Sequence, residues 1–248
     1  MFRLLTYNIK RGGHGRVAPI ARVINAAAPD LVLLQEATDP SNVAQIAAAT
    51  GMAEWRAMER RSLGFMSRRP VASSEWTRPR FSRHAFIEIV TNGTSLRVFG
   101  LHLSAVHAAW TERRRVIEIR ALLRAIARHQ HGFHVLAGDF NTLAPNEPLE
   151  IEQLPLRLRP LVWLSGGRIR WRTIHTILEA GYVDGYRLKH PGEPGPTLPT
   201  SQPHIRLDYV FVPAQHEDAI ASCEVFRHPD AVAASDHFPV IADLRTNE

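Results

Sequence analysis

Six segments of this 248-residue chain run from an apolar stretch into a polar side chain, or out of one, in a way an ordinary buried strand does not. They are LLTYNI with Asn8, LVLLQEA with Glu36, RVFGLHLSA with His102, VLAGDFNT with Asp139 and Asn141, RLDYVFV with Asp208, and ASDHFPV with Asp236 and His237. A carboxylate beside such a run is costly to bury unless it is paired or bound to metal. One would be unremarkable. Eight polar groups spread over the whole length call for a fold whose strand ends converge on a shared polar site. In FHVLAGDFNT, residues two apart on a strand share a face. Asp139 and Asn141 are therefore expected to point the same way beyond the strand end.

The rest of the chain mixes strands and helices. Alternation and β-formers predict strands over 3–9, 30–37, 53–58, 63–67, 84–91 and 95–103, the last two joined by an Asn-Gly hairpin signal at 92–93. Further strands are expected at 133–140, 205–212, 220–227 and 238–244. Helical spacing predicts helices over 17–28, 42–50, 108–130 and 172–182. In the longest of these, Val116, Ile119, Leu123 and Ile126 form the apolar stripe, and Arg113, Arg120 and Arg124 read as a solvated face. The segments 143–170 and 191–203 read as irregular. No repeat, low-complexity tract or linker divides the chain, so a single domain over 1–248 is expected.

Composition narrows the function. At 45% hydrophobic and 22% charged, the chain reads as globular, and its lone Cys223 excludes an internal disulfide framework or a cysteine-held zinc. No segment reaches the roughly 18 apolar residues of a membrane helix, and no signal peptide is visible, so a cytoplasmic monomer with no stable membrane association is expected. The formal charge is +6, and it is uneven. Residues 53–84 carry eight Arg against three Glu, a net +5, interleaved with Trp55 and Trp76. Such a stretch suits a polyphosphate backbone, with Arg78, Arg80 and Arg83 as candidate substrate contacts. An Arg-rich soluble surface is the plainer alternative. The segment 165–172, SGGRIRWR, adds three arginines and a tryptophan; Trp163 and Trp171 read equally well as packing residues.

The eight polar groups comprise four carboxylates, two imidazoles and two carboxamides. Oxygen donors with few imidazoles suit a hard divalent cation, Mg²⁺ or Mn²⁺. A cation, carboxylates and a His next to an Asp can together perform in-line hydrolysis at phosphorus. Taken singly, His102 is an ordinary hydrogen-bonded core histidine and Asn8 a turn residue; the set carries the argument.

In this order, YNI, LLQEA, HLS, GDFNT, RLDYVFV and SDHFPV resemble the motif series of the endonuclease/exonuclease/phosphatase superfamily, the group of deoxyribonuclease I, exonuclease III and neutral sphingomyelinase. The resemblance implies an α+β fold of four layers, two mostly antiparallel sheets face to face with helices outside. It implies Glu36 as principal metal ligand, with Asn8 and Asp236 near the same cation. Asp139 would orient or activate the water or help hold a second metal, and Asn141 would hydrogen-bond a phosphate oxygen. His237 would act at the phosphate as base or charge stabiliser, with Asp208 fixing its tautomer. His102 matches the second histidine of the deoxyribonuclease I and sphingomyelinase branches, but the carboxylate expected near it has no clear counterpart: the comparable stretch, FSRHAFIEI, carries His84, with Glu88 as its nearest carboxylate. A metal-dependent phosphodiesterase, a nuclease on DNA or RNA, is the expected function. A phosphodiesterase or phosphatase for a phospholipid headgroup or other small phosphoester is the alternative, and a non-catalytic module on the same fold a third.

Overall fold

The computed structural model describes residues 1–94, 96–105, 109–147, 156 and 171–246. Two six-stranded sheets form its centre. The first contains β1 (Phe2–Asn8), β2 (Leu31–Gln35), β3 (Glu54–Arg56) and β4 (Gly64–Ser67) from the N-terminal half. It is completed by β11 (Ile220–Val225) and β12 (Val240–Leu244), in the order β11-β12-β1-β2-β4-β3. The second contains β5 (Val71–Thr77), β6 (Phe86–Thr91), β7 (Arg97–His102), β8 (His134–Asp139), β9 (Tyr182–Asp184) and β10 (Asp208–Pro213), in the order β5-β6-β7-β8-β10-β9. Among the described residues, only β1/β2 and β7/β8 pair in parallel.

The sheets face each other through alternate residues: Leu4, Leu31, Leu33 and Ala242 from one, Ile87, Val98, Val135 and Val210 from the other. On the outer face of the first sheet, Tyr7, Val32 and Leu34 pack against α1 (Val17–Ala27), α2 (Pro40–Thr50) and α6 (Ala231–Ala234). On the outer face of the second, Phe99, Leu136 and Phe211 meet α3 (Ala109–Ala125) and α4 (Arg172–Glu179). A further short helix, α5 (Gly185–Lys189), follows β9. Both faces of the central strands are covered, which is why they read as nearly continuous apolar runs. This is the expected α+β four-layer sandwich.

Four elements escaped the sequence reading. β5 is an edge strand with a mostly exposed sequence, VASSEWT, so it carries no apolar run to reveal it. β9, α5 and α6 are three to five residues long, too short for a period to register. In the long helix, α-helical geometry ends at Ala125 and a 3₁₀ turn over Ala127–His129 follows. Its arginines 113, 120 and 124 are exposed as expected, but Glu112, Arg115 and Glu118 are buried. Most of 143–170, including Trp163 and the arginines 168 and 170, lies outside the described residues.

Candidate active site

The parallel pairs bring the polar strand ends to one edge. In the first sheet, Asn8 lies opposite Gln35, so the ends of β1 and β2 are adjacent. In the second, Asp139 at the end of β8 lies opposite His102 of β7 on one side and Asp208 of β10 on the other. β12 runs antiparallel to β1, with Thr6 opposite Val240, and this carries Asp236 and His237 to the same edge. The close approach of β7 and β8 depends on Gly138: at φ +143°, a Cβ there would sit 2.0 Å from the Leu101 carbonyl oxygen.

Asp139, Asp208 and His237 are almost fully buried and lie side by side. His237 Nδ1 lies 2.8 Å from Asp208 Oδ2, which also accepts a 2.6 Å hydrogen bond from the Thr197 hydroxyl. His237 Nε2 faces Asp139 Oδ2 at 4.0 Å. Burial by itself lowers the His237 pKa, but Asp208, through its charge and hydrogen bond, and then Asp139 and Asp236 outweigh it and push the value up to about 9. His237 is therefore an imidazolium at neutral pH. Asp139 is raised, first by burial and then by the Asp208 charge, against the pull of His237, His102 and the Asn8 amide.

The second half of the site is looser. Asn8 donates through Nδ2 to Asp139 Oδ2 at 3.0 Å and approaches Glu36 Oε1 at 3.4 Å, linking the two halves. Glu36 lies one residue past the end of β2 with φ +55°, and its Oε2 accepts the Arg11 backbone N–H at 2.6 Å. Asp236 is half-buried and holds Lys10 Nζ at 2.9 Å. The loop carrying Lys10 and Arg11 has left-handed φ from Lys10 through Gly13, and the Lys10 N–H also donates to Asn8 Oδ1 at 2.9 Å.

Which residues fit a metal follows from these atoms. The tightest group of potential ligand atoms among the described residues is Asp139, Asp208 and His237, within 4.8 Å of one another. Within that trio, His237 Nδ1 is already engaged by Asp208 Oδ2, and Asp208 Oδ1 is buried without a hydrogen-bond partner. The oxygens of Asn8, Glu36 and Asp236 are the better match to a hard cation. Asp236 already attracts a protein cation, Lys10.

Asn141 departs from the strand-period argument. β8 ends at Asp139, and Asn141 has φ +53°, with its backbone N–H on Asp139 Oδ1 at 2.9 Å and its Nδ2 on the Leu103 carbonyl at 3.0 Å. It sits at the site through a turn, not through shared strand facing. His102 is held at Nδ1 by the Ser62 hydroxyl, while Nε2 is 3.8 Å from Asp139 Oδ2. Glu88 pairs instead with Arg97. The His102 ring neighbours His84 at 6.3 Å, whose pKa falls to about 4 through burial and the nearby His102 and arginine charges.

Arg78, Arg80 and Arg83 are all exposed on the connection between β5 and β6. Other arginines of the basic stretch serve the protein itself: Arg69 pairs with Asp30 at 3.1 Å, Arg68 donates to the Pro29 carbonyl, and Arg56 covers the Trp76 ring. Sequence reasoning missed Lys10, Ser62 and Thr197. Ser62 carries no signal, because it becomes a neighbour of His102 only through sheet packing. Thr197 lay within a Pro/Gly-rich segment read as a mere loop, yet it also accepts the Leu207 N–H at 3.1 Å and, through its carbonyl, the Phe238 N–H at 2.7 Å.

Two face-to-face sheets with helices outside and an acidic, histidine-containing edge define the deoxyribonuclease I-like phosphoesterase fold. The model of the Endonuclease/Exonuclease/phosphatase family matches residues 5–237, and the chain belongs to that family. Its members are divalent-metal enzymes. No curated protein matches the chain in sequence. Solved structures match in fold. The 3′ phosphatase NExo from Neisseria, bound to product DNA hairpin, has a TM-score of 0.74 and 17% identity, covering 99% of this chain and 100% of that one. An AP endonuclease from Archaeoglobus fulgidus gives 0.73 and 18%, covering 98% and 99%. An endonuclease/exonuclease/phosphatase from Beutenbergia cavernae gives 0.70 and 22%, covering 99% and 72%. No helix among the described residues is long and apolar enough to cross a membrane.

Proposed function

We propose that this protein is a metal-dependent phosphodiesterase acting on a polynucleotide. The observation that carries the reading is the buried unit of Asp139, Asp208 and His237, beside the oxygen donors of Asn8, Glu36 and Asp236. A divalent cation, Mg²⁺ or Mn²⁺, held by those three oxygen donors supplies charge neutralisation at the phosphate when bound. His237, kept protonated by Asp208, stabilises charge on the phosphate oxygens and is not the base. Asp139, with its raised pKa, accepts the proton of the attacking water; the water oxygen bonds to phosphorus as the bond to the leaving oxygen breaks. Asn141 retains amide capacity beyond its bond to Leu103 for a phosphate oxygen. His102, oriented by Ser62, faces the same space and serves the leaving group.

The polynucleotide part of the reading is supported by the exposed arginines 78, 80 and 83 and by the DNA-directed names of two fold neighbours. The test is plasmid and oligonucleotide cleavage with Mg²⁺, with EDTA, and with His237→Ala. Cleavage that needs the metal and disappears in the variant is expected. No cleavage by folded wild-type protein would favour a small phosphoester, to be sought among headgroup and sugar phosphates.

A further inference from the structure

Phe81 lies at the tip of the connection between β5 and β6, and it is unusual in two ways. Its φ is +71°, and at 76% exposure its side chain is, with Leu156, the most exposed large hydrophobic among the described residues. A bulky residue in the left-handed region is a conformational outlier costing about 1–2 kcal/mol, and an exposed ring recovers nothing from burial. Strain of this kind persists only when the surroundings enforce it. Here they do. Arg78 Nε donates to the Ser82 carbonyl at 3.0 Å, the Ser82 N–H to the Pro79 carbonyl at 3.0 Å, and the Ser82 hydroxyl to the His84 carbonyl at 2.6 Å. The Arg83 N–H then ties the turn to Glu118 of α3 at 3.3 Å.

The base of this turn, through Pro79, Ser82 and His84, lines one depression with His102. The same short connection thus carries both the exposed tip and a wall of the depression that His102 lines. Arg80 lies over the Phe81 ring at 5.2 Å, and Arg78 and Arg83 are exposed three residues before and two residues after Phe81. An exposed ring on so basic a turn is poorly suited to an apolar partner and well suited to a base carrying phosphates on either side.

We propose that Phe81 is a stacking platform for an unpaired nucleobase, with Arg78, Arg80 and Arg83 engaging the flanking phosphates. The substrate class at this site is thus single-stranded polynucleotide, or a strand end frayed from a duplex, since within a duplex the faces of each base are covered by its stacked neighbours. The inference rests on the polynucleotide phosphodiesterase reading, and its test is independent of turnover.

Binding is measured in EDTA with a single-stranded oligonucleotide containing 2-aminopurine, against a blunt duplex of equal length. Phe81→Ala is expected to weaken single-strand binding about tenfold or more, as for loss of one base–aromatic stack, and to abolish the 2-aminopurine fluorescence change. Phe81→Trp is expected to retain both, and duplex binding to change by less than twofold in either variant. Phe81→Asn, which suits left-handed backbone, is expected to melt no lower than wild type and to bind like Phe81→Ala, separating lost stacking from lost folding. Equal single-strand binding by wild type and Phe81→Ala, or equal losses on strand and duplex, would overturn the proposal. So would Phe81-dependent cosedimentation with phosphatidylglycerol vesicles without strand discrimination. Failure of the phosphodiesterase reading would appear elsewhere, as absent metal-dependent cleavage by wild-type protein.

Discussion

The two halves of the candidate site are built on different principles. Asp139, Asp208 and His237 are sealed at the edge of the second sheet, with His237 and the Thr197 hydroxyl both bonded to Asp208. Glu36 and Asp236 are only half-buried; Glu36 accepts from the Arg11 N–H and the Asn8 amide, and Asp236 pairs with Lys10. One half is fixed by the fold itself. The other presents the carboxylates of Glu36 and Asp236 with partial access to solvent. The contrast teaches where preorganisation resides: the orientation of His237 is set by Asp208 within the fold, whereas Glu36 and Asp236 remain open to a further partner.

The largest effect should come from breaking the fixed half. Asp208→Asn removes the charge that holds His237 protonated, and turnover is expected to fall about 10³–10⁴-fold, as when a buried carboxylate orienter is lost from a catalytic histidine. The His237 imidazole, followed by NMR, should then titrate well below 9. Unchanged turnover would remove this trio from the chemistry.

Next in size is the scaffold beneath that half. Arg206, two residues before Asp208, is buried between Asp184, at 2.6 Å, and Glu147, and stacks on Tyr209 at 4.4 Å. Arg206→Met leaves the buried Asp184 carboxylate without its cation and Glu147 with Arg187 alone, and is expected to destabilise the protein by about 3–5 kcal/mol in denaturant titrations. A loss below 1 kcal/mol would mean that the network is dispensable.

Glu36→Gln probes the open half and should do the reverse. Mn²⁺ binding by calorimetry is expected to weaken by at least the roughly 10–100-fold typical of perturbed metal sites, while melting in EDTA stays at the wild-type value. A variant that melts lower but binds Mn²⁺ normally would assign Glu36 to structure instead.

The smallest effect sharpens the comparison through pH. His237 has a folded value near 9, above the ordinary 6.5, so its contribution is fully present below 6.5 and is lost as pH rises through 9. His84, depressed to about 4, contributes above 6.5, and that stability is lost as pH falls towards 4. Denaturant midpoints in EDTA should therefore be highest near pH 6.5. Asp208→Asn should flatten the alkaline limb and His84→Asn the acid limb. Limbs unchanged in both variants would assign the pH dependence to other groups.

The layered α+β architecture was legible because both-face burial writes continuous apolar runs into β1, β2, β8 and β10, and solvent-facing helices write a 3.6-residue stripe into α1 and α3. β5 was not legible, since an exposed edge strand has neither. The site divides in the same way. Asn8, Glu36, His102, Asp139, Asp208, Asp236 and His237 stood out because a polar group against an apolar strand is conspicuous in one dimension. Asn141 stood out too, although the argument from strand facing did not survive: the chain turns after Asp139. Ser62, Thr197 and Lys10 sit in sequence contexts where their residue types are commonplace, and only their neighbours distinguish them.

By itself, then, the sequence determined which strands are buried, that their ends carry acid, amide and imidazole groups, and to which family those ends belong. Only the tertiary structure decided which polar groups meet. That is because hydrogen-bond partners and pKa values are set at short range between residues distant in the chain, as in the Ser235 hydroxyl on the Asn8 carbonyl, 227 residues apart. The raised pKa of His237 arises in this way: its partner Asp208 lies 29 residues earlier in sequence and 2.8 Å away in space.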